Sequence, residues 1–541
     1  MTMVRTLMSG ASRCAMAGAL LFLGACTVGP DWHEPTPVLP AIFSPPVGES
    51  AASQVDGADI DPAWWTIFDD AELSSLERRV ASTNLDVAEA TARLAESRAE
   101  RRMVGADQYP STNANASYAR ERASPNGVLS LLGTTQQQST ATIANGSPGF
   151  GPTSLPGSSG AAPFDLWQYG FDASWELDLW GRVRRAVEAA GAAVDATADL
   201  RRGVLVSALA ETARDYLQLR GVQAQIAITR QNLDIATHSL SMTQLRLANG
   251  ATTNLDVANA AAQVSAVQAG LPALQKQEAQ LVNALSFLLG APPRTLAAEL
   301  ATPKPIPPVP PRIPVGLPSE LARQRPDIRS AEARLHEATA DIGVAVADFY
   351  PRITLGGSFD IQALQFSGLG SWESQQYGLG PSISLPIFEG GRLHGALELR
   401  KAQQKQAAII YQRTVLQAWH EVDDALTAYN AAQNQRSQWL DAVRQNRIAL
   451  ATAQSQYAQG AIDFLNVLTI QNQLLSVERA LVQADTDTDI ALASLYKALG
   501  GGWQSDFPIE AVDAGGRRGA AIGPPSASDM AGALAADRSE R

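Results

Sequence analysis

The chain has 541 residues, a formal net charge of −12 and 18% charged residues. No basic patch is available to neutralise phosphates, which excludes nucleic acid as a partner and argues against an anionic membrane surface. Aromatic residues make up 6% and Ala and Gln crowd the middle, a composition suited to long packed helices rather than a thick globular core.

The start carries Arg5 and Arg13, then an apolar run from Ala15 to Ala25 that leads into Cys26. The run is too short to cross a bilayer as a helix and has the three-part form of a secretory signal. Leu23-Gly24-Ala25-Cys26 resembles a bacterial lipobox, in which small residues allow cleavage and the new N-terminal cysteine takes lipid. Residues 1–25 are therefore expected to be a lipoprotein signal peptide. Cys26 is expected to carry diacylglycerol and an N-linked acyl chain such as palmitate, with no other cofactor and no metal. A plain signal peptide cut nearby is the alternative. Cys14 is the other cysteine, so the mature chain can form no disulfide. Thr27, rather than Asp, follows Cys26, resembling lipoproteins sorted to the outer membrane. No later stretch is apolar for long enough to span as a helix.

Residues 26–62 are Pro-rich and read as an extended, lipidated segment. Two structural repeats follow, 63–301 and 319–503. Residues 182–290 and 392–500 align at an offset of 210 without a gap, bringing Arg182 onto Arg392, Gly250 onto Gly460 and Gly290 onto Gly500. Tyr109-Pro110 and Tyr350-Pro351 mark each copy at an offset of 241, so the first copy carries 31 extra residues. A duplication with one elastic segment points to a structural frame rather than a catalytic pocket.

Within the first repeat, Leu73, Leu76, Val80, Leu85 and Leu94 predict a helix from Glu72 to Gly105. After Tyr109-Pro110 the period changes to two, weakly over 112–119 and strongly over 169–179, where Tyr169, Phe171, Trp175 and Leu177 oppose Gly170, Asp172, Ser174 and Glu176. Residues 121–166 are rich in Gly, Ser, Thr and Gln and read as an exposed loop ending near Trp167. The second repeat supplies two more strands, one with Ile353, Leu355 and Phe359 on its apolar face, the other with Tyr377, Leu379 and Ile383. Segments of this length and alternation fit tilted membrane strands, and a soluble sheet packed on one face fits equally well. Trp167 and Trp372, each near a Tyr, are consistent with an interface girdle.

Long helices are expected over 182–249 and 392–459, because Leu205, Thr212, Leu219, Ile226, Leu233, Leu240 and Leu247 recur every seven residues and Val415, Val422, Tyr429, Val443, Leu450 and Tyr457 follow a similar rule. Asn249-Gly250 and Gln459-Gly460 end them. Thr253 or Asn254, with Asp256, can cap a return helix over 255–289, which Pro272 should kink; its counterpart spans 463–499. Residues 302–318 hold eight prolines and form a semi-rigid strap between the repeats, and residues 504–541 read as a disordered tail.

If these strands span a membrane, four cannot close a barrel and open edges are not tolerated in lipid, so several chains must share one. Three chains would give twelve strands, with the helices below as a coiled-coil cylinder and Asn113, Asn115, Asp172, Asp178 and Asp360 lining the lumen. The fold class is thus mainly α with a membrane β-barrel portion, internally duplicated.

Leu317-Pro-Ser-Glu-Leu-Ala-Arg-Gln-Arg-Pro-Asp-Ile-Arg329, Ile342-Gly-Val-Ala345 and Phe349-Tyr-Pro351 resemble the signature of TolC-like outer-membrane efflux channels, in particular the NodT-type lipoproteins that serve RND pumps. Cys26-Thr-Val-Gly-Pro-Asp31, Phe388-Glu-Gly-Gly-Arg392 and Tyr457-Ala-Gln-Gly460 match as well. The resemblance implies a homotrimer with a shared 12-stranded barrel on an α-helical periplasmic tunnel, set in outer-membrane lipid. It also implies a periplasmic membrane-fusion adaptor and an inner-membrane RND-type pump as partners. The expected function is a passive conduit that exports drugs or other small molecules and makes no covalent change. A same-fold channel for type I protein secretion is the alternative.

By the same resemblance, Tyr457 and Asp256 match a pair that latches neighbouring hairpins at the periplasmic gate, so Tyr457→Phe should loosen the closed state and raise vancomycin entry. Asn249, Gly250, Gln459 and Gly460 would form the tips that meet the adaptor. Thr469 stands where an acidic residue is usual, and Asn466 where some members have one, leaving Asp463 as the nearest carboxylate. His33, His238, His336, His394 and His420 are scattered with no ligand spacing, and no nucleophile elbow or phosphate loop occurs, so no enzyme is expected.

Overall fold

A computed structural model describes residues 27–36, 54–56, 58, 60–122, 163–316 and 321–504. The signal segment 1–25, Cys26, the bulk of the loop expected over 121–166 and the tail beyond Gln504 lie outside the described residues.

Eight α-helices are described: α1 (Ala71–Thr83), α2 (Leu85–Ala106), α3 (Arg182–Ala248), α4 (Asn254–Leu288), α5 (Leu321–Gln324), α6 (Pro326–Ala347), α7 (Arg392–Ala458) and α8 (Phe464–Leu499). Six strands accompany them: β1 (Gln54–Asp56), β2 (Ser111–Glu121), β3 (Phe164–Leu177), β4 (Arg312–Pro314), β5 (Arg352–Ala363) and β6 (Gln375–Ser384). β1 and β4 make a short parallel pair, and the other four form one antiparallel sheet in the order β2-β3-β5-β6.

The helices repeat the order of the strands they extend. α2 packs on α3, α3 on α6, and α6 on α7, so each strand of the sheet runs into a helix of the same rank. Farther from the sheet, α4 packs on α3 and α8 on α7, with α3 touching α8. α3 and α7 are each 67 residues long, roughly 100 Å at about 1.5 Å per residue. No described helix is long and apolar enough to cross a membrane.

The helix expected from Glu72 to Gly105 is two helices broken at Asn84. Asn84 takes an extended backbone, and its side chain accepts from the Asp86 and Val87 amides, capping α2. Its Nδ2 donates to Leu288 O at 2.8 Å, so the end of α4 stacks on the start of α2. Gly290, at φ 66°, takes the left-handed turn that brings Thr83 O against it. The second copy reproduces the joint: Arg325 precedes α6 and donates to Ala498 O at 2.6 Å, and Gly500, at φ 76°, lies against Gln324 and Arg325. In each repeat, two shorter helices laid end to end thus run beside one long helix.

The heptad reading holds for part of α3 only. Leu205, Thr212, Leu219 and Ile226 are buried, but Leu233, Leu240 and Leu247 are half-buried, and the buried line passes to Asn232, Ala236 and Thr243. A straight helix drifts against a seven-residue repeat, which moves the seam onto a neighbouring row. In α7 a narrow line, Tyr411, Val415, Ala418, Val422, Leu426 and Tyr429, is buried at steps of three or four. Pro272 is exposed within the continuous helix α4.

The main core lies at the level of the helix joints. Trp64, Trp65 and Phe68, in a short 3-10 turn, pack with Leu73 and Leu76 of α1, Leu209 and Tyr216 of α3, and Tyr496 of α8. Trp64 stacks on Tyr496 with centroids 5.4 Å apart.

Candidate functional site

Three regions carry the functional chemistry: the sheet, the hairpin tips and the N-terminal segment. Register defines the sheet. One set of rungs joins Ala114, Phe171, Phe359 and Tyr377, then Ala116, Tyr169 and Ile361, then Leu177, Ile353 and Ile383. The opposite face joins Asn113, Asp172, Ser358 and Gly378, then Asn115, Gly170, Asp360 and Gln376. The apolar face is uncovered: Phe171 is 58% exposed, Tyr377 82%, Leu379 81% and Ile383 69%. What packs on it is the short 3-10 turn Phe366–Gly370, at its far end against Trp167. A soluble sheet buries that face, so the two readings left open by alternation separate here in favour of a lipid-facing surface.

β3 begins at Phe164 rather than near Tyr169, and Trp167 belongs to it rather than to a loop, because pairing with β2 continues back through the Tyr118–Trp167 pair to the Glu121–Phe164 pair although the alternation stops at Asp165 and Leu166. Trp167 packs on Tyr118 at 4.3 Å and on Phe366 at 5.1 Å, forming an aromatic rim at the far end of the sheet. The helix-proximal end carries the second rim. There Trp180 stacks on Tyr350 at 4.8 Å, and Trp175 Nε1 donates to Gln108 O. Two aromatic rims bounding an apolar band are the signature of strands in a bilayer. At 14 residues β3 is long enough to cross at a tilt of about 45°. Asp178 does not join the inward face. It lies past β3, where it accepts from the Arg184 amide at 2.8 Å and caps the start of α3.

β2 and β6 each have one paired edge and one open edge.

At the tips, Gly250 (φ 70°) and Gly460 (φ 77°) close the long helices. Gly250 N donates to Leu247 O and Ala251 N to Arg246 O; Gly460 N and Ala461 N do the same to Tyr457 O and Gln456 O. Asn249 and Gln459 are exposed, and their amides fold back to Leu245 O and Ser455 Oγ. Thr253 is the N-cap of α4, completed by Asp256, which accepts from Thr252 Oγ1 at 2.6 Å and from the Thr253 amide at 3.2 Å. The Thr252 hydroxyl, with the Thr253 donors, holds the Asp256 carboxyl below the usual carboxylate range.

Within one chain Tyr457 and Asp256 are not joined. The Tyr457 hydroxyl is enclosed and has no hydrogen-bond partner. Its ring lies under the Arg246 guanidinium, 4.3 Å from the centroid, and Arg246 Nη1 donates to Tyr457 O at 2.9 Å. This contact ties α3 to α7 at the tip. Arg246 was missed by sequence reasoning, since a partner 211 positions away leaves no local pattern. Asp463, the N-cap of α8, makes no side-chain bond to that helix. Asp463, Asn466 and Thr469 are exposed on one face, three residues apart, and the Thr469 hydroxyl donates to Leu465 O.

The N-terminal segment is bolted where sheet meets helices. Thr27 lies against Gly181, Val28 N donates to Trp180 O at 3.0 Å, and Gly29 (φ 95°) packs so tightly that a Cβ there would lie 2.5 Å from Gly343 Cα. Asp31 pairs with Arg185 at 2.6 Å, and Trp32 stacks on His336 at 4.7 Å, whose Nε2 meets Glu188 at 2.9 Å.

A sheet with an uncovered apolar face and open edges, continued by long helices of the same order, defines an outer-membrane channel subunit. The comparisons agree. The family model described as outer membrane efflux protein matches residues 77–291 and again 317–501, once per repeat, and the chain belongs to that family. It is 32% identical over 502 residues to outer membrane protein OprJ of Pseudomonas aeruginosa, covering 92% of this chain and 97% of that protein. To the pyoverdine export outer membrane protein OpmQ of Pseudomonas putida it is 33% identical over 475 residues, covering 88% and 95%. Among solved structures, the outer-membrane channel OprN matches with a TM-score of 0.77 and 32% identity, over 88% of this chain and 100% of that one. The chain is an efflux channel protein of the outer membrane, and the protein-secretion alternative is not favoured.

Proposed function

We propose that three copies of this chain close one twelve-stranded barrel, four strands from each, above a helical tunnel through the periplasm. The observation that carries this reading is the sheet itself, apolar on its exposed face and open at β2 and β6. In lipid each open edge must find a partner strand, and the same edges in a neighbouring copy supply it. α2 and α7, the outer members of the helical layer, would meet in the same way.

The conduit passes small molecules delivered by an inner-membrane RND-type pump through a periplasmic adaptor seated on the tips around Gly250 and Gly460. The names of relatives refer to pyoverdine, solvent, toluene and cation efflux, so the cargo class is set outside the channel wall. Cys26 carries the lipid anchor. In support, the adjoining Thr27 is packed at the junction of β3 and α3, level with the helix-proximal aromatic rim, where an acyl chain would enter the inner leaflet. The tips act as the gate, with Arg246 and Tyr457 holding the two hairpins of each chain together.

A susceptibility panel on a deletion strain tests the reading. Loss of the gene should sensitise the cell to a set of unrelated small molecules, and the wild-type chain should restore resistance. Cys26→Ala should restore less and incorporate no labelled palmitate. Unchanged susceptibility to every compound would contradict the proposal.

A further inference from the structure

We infer that the ion preference of this channel is set inside the barrel, by a carboxylate collar of Asp172 and Asp360, rather than at the tips. The inference rests on the shared-barrel reading, which turns the polar face of the sheet toward the lumen. Between the rims, the inward positions of β2, β3, β5 and β6 hold Ser, Asn, Gln, Gly, Thr, Ala and one Leu, Leu166, besides two Asp, with no Lys or Arg. Asp172 and Asp360 are the charged side chains of that stretch; Glu176 and Arg352 sit at the helix-proximal rim and Glu121 at the other.

The two carboxylates occupy adjacent rungs on neighbouring strands. Asp172 accepts from Asn113 Nδ2 at 3.0 Å and from Asn115 Nδ2. Asp360 is different. It is 7% exposed, and among the described residues it has neither a hydrogen-bond donor nor an ion-pair partner. Its carboxylate lies flat over Gly170, where a Cβ would come within 2.2 Å of Oδ1. A nearly buried carboxylate without a donor is costly unless a counter-ion attends it. No described residue supplies one, and a cation passing through the lumen is a species that fits. Three chains would bring six carboxylates to two adjacent levels of a tube whose inward strand positions between the rims carry no Lys or Arg. By contrast, the tip offers Asn466 and Thr469 with Asp463 at the helix cap.

The test is the reversal potential of the purified trimer in planar bilayers under a KCl gradient at low salt. The wild type should prefer K⁺ over Cl⁻. Asp172→Asn with Asp360→Asn should lower the permeability ratio at least about threefold near 0.1 M salt, where the screening length is about 10 Å, while conductance steps persist. Each single substitution should fall between, which keeps the test alive if the double variant fails to assemble. A cation preference that survives both substitutions overturns the collar, and so does a wild type that prefers Cl⁻. A wild type that forms no conducting trimer instead removes the shared barrel, and the collar with it.

Discussion

Glu77 is a carboxyl group with no exposed surface and no partner for either oxygen. Burial alone pushes its pKa well above the ordinary carboxylate value, because a charge in that apolar packing has nothing to offset its lost hydration. The folded value is raised, so the contribution to stability is complete below the unfolded value of about 4.3 and is lost as pH rises toward the folded value. The detergent-solubilised protein should therefore resist thermal unfolding better near pH 5 than near pH 8. Glu77→Met should flatten that difference and stabilise the fold at pH 8 by about 1–3 kcal/mol. Thermal denaturation of the two forms across this range checks it, and an unchanged pH slope would show that Glu77 is not the source. Nothing in the sequence marked this residue. A Glu between Leu76 and Val80 on α1 reads as a surface position until the helix is seen packed on α3 and the 3-10 turn with Glu77 buried.

The tip of each hairpin pair depends on one contact between long helices. Arg246 places its charge over the Tyr457 ring and bonds the Tyr457 carbonyl, at about 0.5–1 kcal/mol for the ring contact and about 1.5–3 for a charged hydrogen bond. Arg246→Ala should loosen the closed state by several-fold, read as higher conductance and greater vancomycin sensitivity. Tyr457→Phe should do less, since it keeps both ring and carbonyl. An Arg246→Ala channel as closed as the wild type would rule this contact out of the gate. At this scale much was legible in the sequence. The gap-free offset between copies and the Gly250 and Gly460 stops marked the helices because helix ends have their own residue chemistry. Asn84 was not legible as a break: the apolar rhythm of Leu76, Val80, Leu85 and Leu94 runs through it, and only the Leu288 carbonyl shows why the chain turns there. The repeated joint at Arg325 and Gly500 uses a different side chain for the same task, so difference of residue hid similarity of role.

For the whole molecule, the order β2-β3-β5-β6 above and α2-α3-α6-α7 below gives each chain two open sides among the described residues, at β2 and β6. Alternation in the sequence announced two-faced strands but could not say whether the apolar face meets protein or lipid. Tyr377 and Leu379, more than four-fifths exposed, decide it. Closure requires that several chains share the barrel, and the count of three belongs to the proposal. The direct test of that closure is electrical recording from the purified, mature protein added to a planar lipid bilayer. Discrete, stable conductance steps from a particle of three chains are the expected result. A monomer that leaves the bilayer silent would contradict the account.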